Sequence, residues 1–412
     1  MQDLGFSKIF SFYLGLPLYA SRMTSTTDSG KPNKTLDELR QAIDAVDDQV
    51  LQLIYERAAL AVAVGEHKKN QPANTPFYVP SREASIIRRL LAKHAEDADK
   101  SHHMRIPDEA IHGIFREIIG ACLALEHPMT IAYLGPEGTF THTAATRQFG
   151  SSVNYMACAS LELVFDAVES GRATYGLVPV ENAFAGAVTH TLDLFADFEK
   201  DIHICAEVQL SIHHHLFSHA ESLEDIKLVI SHPQPLAQCH HWLQEHLPQA
   251  TLMESSSTVH AAAMIEDARK DSDASLDWQH AAAIGPYAIV DYTELPLLQR
   301  NIEDHHDNVT RFFVIGQHDS PPSGEDKTAL VISTKDEPGA LYRLIRSFAE
   351  RNIDLTRIES RPSRKKAWEY VFFIDALGHR DDASMAEAIA EIQAQDGVMV
   401  KVLGSCPVSR KL

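Results

Sequence analysis

Cysteine is scarce and scattered in this sequence of 412 residues. The five cysteines are Cys122, Cys158, Cys205, Cys239 and Cys406, and no two of them stand at the C-x-x-C spacing typical of zinc sites. A disulfide scaffold or a structural zinc site is therefore not expected. The pattern indicates a reducing compartment, the cytoplasm.

Positive charge is also in deficit. The 37 lysines and arginines face 57 aspartates and glutamates, which gives a formal net charge of -20. This negative charge disfavours nucleic acid and anionic membrane surfaces as main partners. An anionic ligand must instead be held by local arginines and lysines, or by the backbone amides at a helix N-terminus.

The start of the chain lacks an apolar run long enough to span a bilayer. The apolar run at residues 9–20 is shorter than the roughly 20 residues required and contains Pro17. It could pass for a secretion signal, but no clean small-x-small cleavage site follows it, and the chain becomes polar from Met23. We expect residues 1–34 to be a disordered extension, with secretion as the alternative.

Hydrophobic periodicity predicts that residues 35–127 form an all-helical domain. Apolar residues recur at helical spacing from residue 35 onward with no proline before Pro72, which predicts one long helix. A second helix is predicted to open at Ser81, and a third to open at Pro107 and continue through Glu126.

The remaining chain mixes strands and helices in two different patterns. Over residues 128–316 short apolar runs alternate with helical segments, which predicts an α/β domain whose polar strand-to-helix junctions suit carboxylates. Residues 317–326 are polar and predict a linker. Residues 327–412 follow the order βαββαβ, which predicts a ferredoxin-like α+β domain with a four-stranded antiparallel sheet.

Two cations share one face of the first predicted helix. Arg57 and Lys68 fall on the same side as Ala61 and Val64, so they could clamp an anion. Arg40 stands about 25 Å further along the same axis and can reach that ligand only from a second chain. Solvated charges on a helical bundle are the alternative explanation.

The helical part resembles the all-helical chorismate mutases. The resemblance rests on residues 39–48, Glu56-Arg57, residues 61–65, Lys68 and Ser81-Arg82-Glu83. It implies that Arg40 of a partner chain and Arg57 bind the two carboxylates of chorismate. It also implies that Lys68 and Glu126 contact the ether oxygen. Glu83 and Arg82 are expected at the side of the ring that carries the hydroxyl, and Cys122 is expected at a further position of the site. Val79, Cys122 and Glu126 depart from the residues common in that family.

Residues 129–316 resemble the prephenate dehydratases throughout. Five blocks carry the resemblance: residues 133–140, 164–171, 176–182, 231–235 and 308–312. The family has a two-lobed α/β fold, like that of periplasmic binding proteins, with the substrate in the cleft. No cofactor is required by the reaction.

The resemblance assigns roles to individual residues of this domain. Thr310 is expected near the leaving hydroxyl of prephenate as an oriented hydrogen-bond donor, with Glu181 or water as the proton source. The other residues expected to bind or order the substrate are Thr139, Asn182, Ser231, Gln234, Ser257, Thr258, Arg311 and Phe312. Helix capping is the alternative explanation for any single one of these hydroxyl and amide side chains. The paired histidines are not expected to hold a metal, because adjacent residues point apart.

The C-terminal part resembles the regulatory ACT domain of phenylalanine-inhibited dehydratases. The resemblance rests on residues 336–341 and 358–362, and it implies that phenylalanine is bound across a homodimer. The expected contacts are Gly339, Ala340, Leu341, Glu359, Ser360, Arg361 and Pro362.

Together these features predict a bifunctional enzyme of phenylalanine biosynthesis that converts chorismate to prephenate and prephenate to phenylpyruvate. Two other functions stay open. The helical domain could be a degenerate dimerisation module, or the whole chain could be an amino-acid sensor without catalysis.

Overall fold

A computed structural model describes residues 34–71, 76–98, 106–271, 277–362 and 369–409. The predicted N-terminal extension, apart from Lys34, lies outside the described residues. Across the described ranges, no helix combines the length and the apolar character needed to cross a membrane.

The first domain consists of three helices: α1 (Leu36–Lys69), α2 (Pro80–Ala98) and α3 (Asp108–Glu126). The predicted single long helix is confirmed. It begins at a capping box in which the Thr35 hydroxyl accepts from the Glu38 amide and the Glu38 carboxylate accepts from the Thr35 amide. Helix α1 packs on α3 through its C-terminal half.

Helix α1 leaves an apolar face uncovered over the stretch from Leu36 to Leu60. Seven of its apolar side chains are between 47% and 70% exposed: Leu36, Leu39, Ile43, Val46, Val50, Leu53 and Leu60. Apolar residues at helical spacing normally face a partner. This single chain does not supply one among its described residues.

The central domain has two lobes, each built on one sheet. The first lobe contains β1 (Thr130–Leu134), α4 (Phe140–Phe149), β2 (Asn154–Cys158), α5 (Leu161–Glu169), β3 (Tyr175–Asn182), β4 (Gly186–Ala187), α6 (Thr189–Phe195) and β5 (His203–Ser211). The second lobe contains β6 (His215–Ser218), β7 (Leu228–Ser231), α7 (Pro233–Gln238), α8 (His240–His246), β8 (Thr251–Glu254), α9 (Thr258–Asp271), β9 (Ala281–Gly285) and β10 (Leu297–Gln299). Three short 3₁₀ helices, Leu223–Asp225, Trp278–His280 and Tyr287–Asp291, complete it.

The chain crosses between the two lobes twice, which places a cleft between them. It leaves the first lobe after β5 and returns as β11 (Val309–Gly316). The sheet of the first lobe has the order β2-β1-β3-β11-β5, so β11 lies antiparallel between β3 and β5. The second sheet has the order β10-β6-β9-β7-β8. The predicted two-lobed α/β fold is confirmed.

The C-terminal domain contains β12 (Asp326–Lys335), α10 (Ala340–Ala349), β13 (Leu355–Pro362), β14 (Glu369–Leu377), α11 (Ala383–Gln393) and β15 (Met399–Pro407). Its sheet is antiparallel throughout, in the order β13-β14-β12-β15. This is the strand order of the predicted ferredoxin-like plan.

The C-terminal sheet shares a hydrophobic core with the first lobe. Val331, Phe373 and Leu403 belong to the same buried cluster as Val178 and Phe313 of the central domain. The stretch before β12 is also anchored, because the Gln317 side-chain amide donates to the carbonyls of Val168 and Glu169 at 2.9 and 2.8 Å. The two domains therefore pack as one unit.

Tyr78 joins the helical domain to the first lobe. It lies between α1 and α2, is fully buried, and packs its ring 5.0 Å from Phe149 and 5.1 Å from Tyr175. Its hydroxyl accepts from the side-chain amide of Gln148 at 2.5 Å. A residue of the helical domain thus completes the core of its neighbour.

We predict that Tyr78→Ala lowers the free energy of unfolding of the central domain by about 3–5 kcal/mol, since it leaves a cavity in a packed core. The matched control Tyr78→Phe keeps the ring, loses one hydrogen bond and should cost about 1 kcal/mol. Urea unfolding followed by tyrosine and tryptophan fluorescence measures both. Equal midpoints for Tyr78→Ala and the wild type would contradict the packing described.

Candidate functional site

The C-terminal half of α1 and the end of α3 form a charged site in the helical domain. Lys68 Nζ lies 2.7 Å from Glu126 Oε1 and also donates to the carbonyl of Phe77 at 2.8 Å. Gly65 lets the helices approach here, because a Cβ at that position would lie 2.8 Å from the Glu126 carbonyl oxygen and 2.9 Å from its Cγ. The ammonium and the carboxylate are thus held at one point between two helices.

Glu83 joins the same site from α2. Its carboxylate accepts from Arg116 at 2.5 Å, and both side chains are nearly buried. Burial raises the pKa of Glu83, while Arg116 opposes that shift. The charge of Arg57 also lowers the pKa of Glu83, and that of Glu126 raises it. The sequence reasoning missed Arg116, although it stands on the buried face of an apolar helix.

The structure brings together five of the seven expected residues of this site and leaves two outside. Arg57 approaches the carbonyl of Ile118 at 3.4 Å, and Cys122 is buried one turn before Glu126. Arg82 is exposed, and Arg40 pairs with Asp37 near the far end of α1. Within one chain, the site lacks the cation expected from Arg40.

A second candidate site is the cleft between the lobes, which has a volume of about 340 Å³. Asn182 on β3 donates through Nδ2 to Thr310 Oγ1 on β11 at 2.8 Å and to Asn308 Oδ1 at 2.8 Å. The Asn182 side-chain oxygen is held by the amides of Phe184 and Ala185. Because Thr310 Oγ1 accepts from Asn182, its own proton is left to point at a ligand in the cleft.

Helix starts from both lobes face this cleft. Thr139 and Ser257 line it and cap α4 and α9, and Thr258 is the first residue of α9. Gln234 lines it at the start of α7, and Phe312 contributes an apolar wall. None of the described residues that line the cleft is a lysine, arginine, aspartate or glutamate. Anions there must be held by amides and hydroxyls.

Three expected contacts do not line the cleft. Ser231 is fully buried and donates to the carbonyl of Ile284 at 2.7 Å, so it supports the wall instead of facing the ligand. Arg311 and Glu181 point to the opposite face of the sheet, because successive strand residues alternate and Thr310 and Asn182 take the cleft side.

On that opposite face Arg311 contacts the C-terminal domain. Its Nη1 lies 2.5 Å from Asp375 of β14, and its Nη2 lies 2.6 Å from Glu207 of β5. Lys327 of β12 lies 3.1 Å from Glu207. Burial alone would raise the pKa of Glu207, but Arg311 and Lys327 lower it below its ordinary value. Glu207 and Asp375 were missed, although each is an acidic residue between two apolar neighbours in its strand.

The sequence reasoning also missed His214, which lines the cleft. It is 1% exposed, and its Nε2 lies 2.7 Å from Gln238 Oε1. Burial lowers its pKa, so the ring is neutral near pH 7. Its neighbour His213 pairs with the buried Glu303 at 2.8 Å.

The expected regulatory residues gather at one end of the C-terminal sheet. Gly339 has φ +83° and opens α10, just after β12. The ends of β12 and β13 pair with the same end of β14, because Thr334 and Pro362 both face Tyr370. They are therefore about 10 Å apart, two strand spacings.

Individual side chains at that end differ in their surroundings. Leu341 is 38% exposed, Ser360 and Pro362 are exposed, and Glu359 is half-buried. Ala340 is buried. Arg361 lies 3.3 Å from Asp193 of α6, so it ties the sheet to the first lobe.

Three family models match successive parts of the chain. They are chorismate mutase type II over residues 39–127, prephenate dehydratase over residues 131–320 and the ACT domain over residues 328–393.

Relatives and solved structures agree with these matches. A bifunctional chorismate mutase/prephenate dehydratase of Aquifex aeolicus is 44% identical over 90% of this chain and 98% of its own length. One of Pseudomonas aeruginosa is 42% identical over 90% of this chain and 97% of its own length. The crystal structure of prephenate dehydratase from Arthrobacter aurescens in complex with L-Phe has a TM-score of 0.60 at 34% identity and covers 68% of this chain and 90% of that one. This chain therefore belongs to the family of bifunctional chorismate mutase/prephenate dehydratases.

Proposed function

We propose that the helical site rearranges chorismate to prephenate and that the cleft converts prephenate to phenylpyruvate, under control by phenylalanine. The observation that carries the conversion of prephenate is the hydrogen bond from Asn182 to Thr310, which leaves the hydroxyl proton of Thr310 for a ligand in the cleft. The described residues that line this cleft include no lysine, arginine, aspartate or glutamate. The observation that carries the rearrangement of chorismate is the ion pair of Lys68 with Glu126, together with the buried ion pair of Glu83 with Arg116 in the same domain.

The rearrangement of chorismate needs a held conformer and stabilised charge, and no nucleophile. Arg57 and Lys68 supply positive charge where the carboxylates and the ether oxygen would lie. Glu126 addresses the ether oxygen together with Lys68, and Glu83 addresses the ring hydroxyl. Cys122 lines the same site one turn from Glu126, and Arg82 stands beside Glu83 in sequence.

In the cleft, prephenate loses carbon dioxide and water. The bond between the ring and its carboxylate breaks, its electron pair enters the ring, and the ring C–O bond breaks. The hydroxyl group leaves as hydroxide, to which Thr310 donates a hydrogen bond, and one net proton from solvent converts this hydroxide to water. Glu181 lies on the far face of the sheet, 3.6 Å from Arg311, so we assign the proton to solvent instead of Glu181.

The lack of a cation in the cleft suits this reaction. A cation beside the departing carboxylate would stabilise the substrate more than the transition state, in which that charge moves into the ring. The other carboxylate can lie at the starts of α4 and α9, where Ser257 and Thr258 offer hydroxyls and both helix starts offer amides. The Thr139 hydroxyl donates to the carbonyl of Pro136 at 3.0 Å, so Thr139 contributes by capping α4.

The exposed apolar face of α1 supports a homodimer in which two copies of this helix pair. Pairing would also bring Arg40 of one chain to the site of the other, which one chain leaves incomplete. The cytoplasm stays the predicted location.

Phenylalanine is proposed to bind at the end of the ACT sheet. The region of Gly339 to Leu341 and the region of Glu359 to Pro362 lie at the same end, where an N-terminus of α10 can take a carboxylate. The prephenate dehydratase from Arthrobacter aurescens was solved in complex with L-Phe, which supports phenylalanine as the ligand.

We expect Thr310→Val to lower kcat for prephenate by about 10²–10³-fold, because the variant keeps the shape and removes the donated hydrogen bond. Thr310→Ser, which keeps the hydroxyl, is the matched control and should retain most activity. Phenylpyruvate formation measures both, and prephenate formation from chorismate reports that the chain is folded. Full dehydratase activity in Thr310→Val would refute this role.

Mixed dimers test whether Arg40 acts across chains. Arg40→Ala and Lys68→Ala should each be inactive as mutases, whereas chains mixed by unfolding and refolding should recover about a quarter of wild-type activity, from one intact site in each mixed dimer. No recovery on mixing would place Arg40 and Lys68 in the same chain's site.

A further inference from the structure

We infer that Arg311 is a positioning residue, which fixes the strand carrying Thr310 against the ACT sheet through buried ion contacts with Glu207 and Asp375. The inference rests on the proposed dehydratase activity of the cleft, and it gives Arg311 a role away from the substrate.

Arg311 bridges two domains with opposite edges of one guanidinium. Its Nε donates to Glu207 Oε2 at 2.7 Å and its Nη2 lies 2.6 Å from the same oxygen, within the sheet of the first lobe. Its Nη1 lies 2.5 Å from Asp375 Oδ2 in the ACT sheet. The side chains of Arg311, Glu207 and Asp375 are 11%, 1% and 5% exposed, so water screens these contacts little.

Two further cations of the ACT domain contact carboxylates of the first lobe that also lie close to Arg311. Lys327 of β12 lies 3.1 Å from Glu207, and Arg357 of β13 lies 3.6 Å from Glu181. Glu181 also lies 3.6 Å from Arg311. Three strands of the ACT sheet therefore meet β3, β5 and β11 through alternating charges.

On β11 and on β3, the residue of the ion cluster is the direct neighbour of Thr310 and of Asn182, the two residues assigned to the dehydratase reaction. Arg311 follows Thr310 on β11, and Glu181 precedes Asn182 on β3. Asn182 and Thr310 face each other in the register, as do Glu181 and Arg311. Because Arg311 and Thr310 are adjacent on β11, a displacement of Arg311 towards or away from the ACT sheet also moves Thr310 relative to Asn182.

Arginine suits this position because its planar group binds two carboxylates along two edges, whereas a lysine ammonium is a single point of charge. A ligand that displaces the ACT sheet would move Asp375 relative to Glu207. Arg311 cannot keep both contacts in that case. The strand β11 is thus the route by which the ACT domain can alter the cleft.

The test compares Asp375→Asn and Arg311→Lys in the full-length protein. Asp375→Asn removes one charge at constant shape, and Arg311→Lys keeps the charge and loses the bridge. The matched control is Asp396→Asn, which removes an exposed ion pair of the same ACT sheet, since Asp396 lies 2.8 Å from Lys335 and its side chain is 98% exposed. Steady-state kinetics on prephenate with and without L-phenylalanine, and hydrogen exchange of β11, are measured for each.

Both variants should lower kcat for prephenate by about 10- to 100-fold, the cost of a misplaced catalytic group, with KM changed by less than about twofold. The double variant should be no worse than the more severe single one, because both substitutions break the same bridge. L-phenylalanine should alter hydrogen exchange of residues 309–312 in the wild type and in Asp396→Asn, but not in Asp375→Asn.

Three results would overturn the inference. One is a large rise in KM at constant kcat for Arg311→Lys, which would place Arg311 on the substrate. Another is an unchanged kcat in Asp375→Asn, and the third is an exchange response to L-phenylalanine that survives in that variant. If the wild type makes no phenylpyruvate, the proposed function fails instead, and the exchange response still decides whether Arg311 joins the two domains.

Discussion

Strand β11 borders the cleft on one face of its sheet and the ACT sheet on the other. Because successive side chains of the strand alternate, β11 contributes residues to both faces. Thr310 and Phe312 point into the cleft, while Arg311 points into the ion cluster under the ACT sheet. The period of two in a strand makes this arrangement obligatory once the strand is central in its sheet. Three adjacent residues thus combine the chemistry of the cleft with the contact to the regulatory domain.

The domains of this chain are joined by shared cores as well as by the covalent chain. The ACT sheet completes a hydrophobic cluster of the first lobe, and Tyr78 of the helical domain completes another. The carbonyl of Phe77, next to Tyr78, accepts from Lys68 of the proposed mutase site. The ring of Tyr78 and the ammonium of Lys68 are thus held by the same short segment, so this proposed site is built partly on the central domain.

Much of this could be predicted from the sequence. The long first helix, the α/β character of the central domain and the βαββαβ order follow from the residue pattern, and the two lobes follow from the resemblance; the structure has each of them. The resemblance placed Thr310, Asn182, Thr139, Gln234, Ser257 and Thr258 in one cleft, and all six line it. These residues stand at strand ends and helix starts, where local sequence decides the geometry.

The remaining features depend on which surfaces meet, and local sequence does not contain that information. Arg311 was expected beside prephenate, but it lies on the other face, where Asp375 from a distant strand meets it. Strand alternation could have shown that Arg311 and Thr310 point apart, yet not what covers Arg311. In the same way, the position of Arg116 on the buried face of α3 indicates that it has a buried partner, but not that this partner is Glu83.

The most direct test of the central claim, that one chain contains two successive active sites, is product identification by NMR. Purified full-length protein is given chorismate in one tube and prephenate in another. The account predicts phenylpyruvate in both tubes, with prephenate appearing first in the chorismate tube. Phenylpyruvate from prephenate alone would contradict the claim and leave the helical domain as a dimerisation module, and no product in either tube would favour a sensor without catalysis.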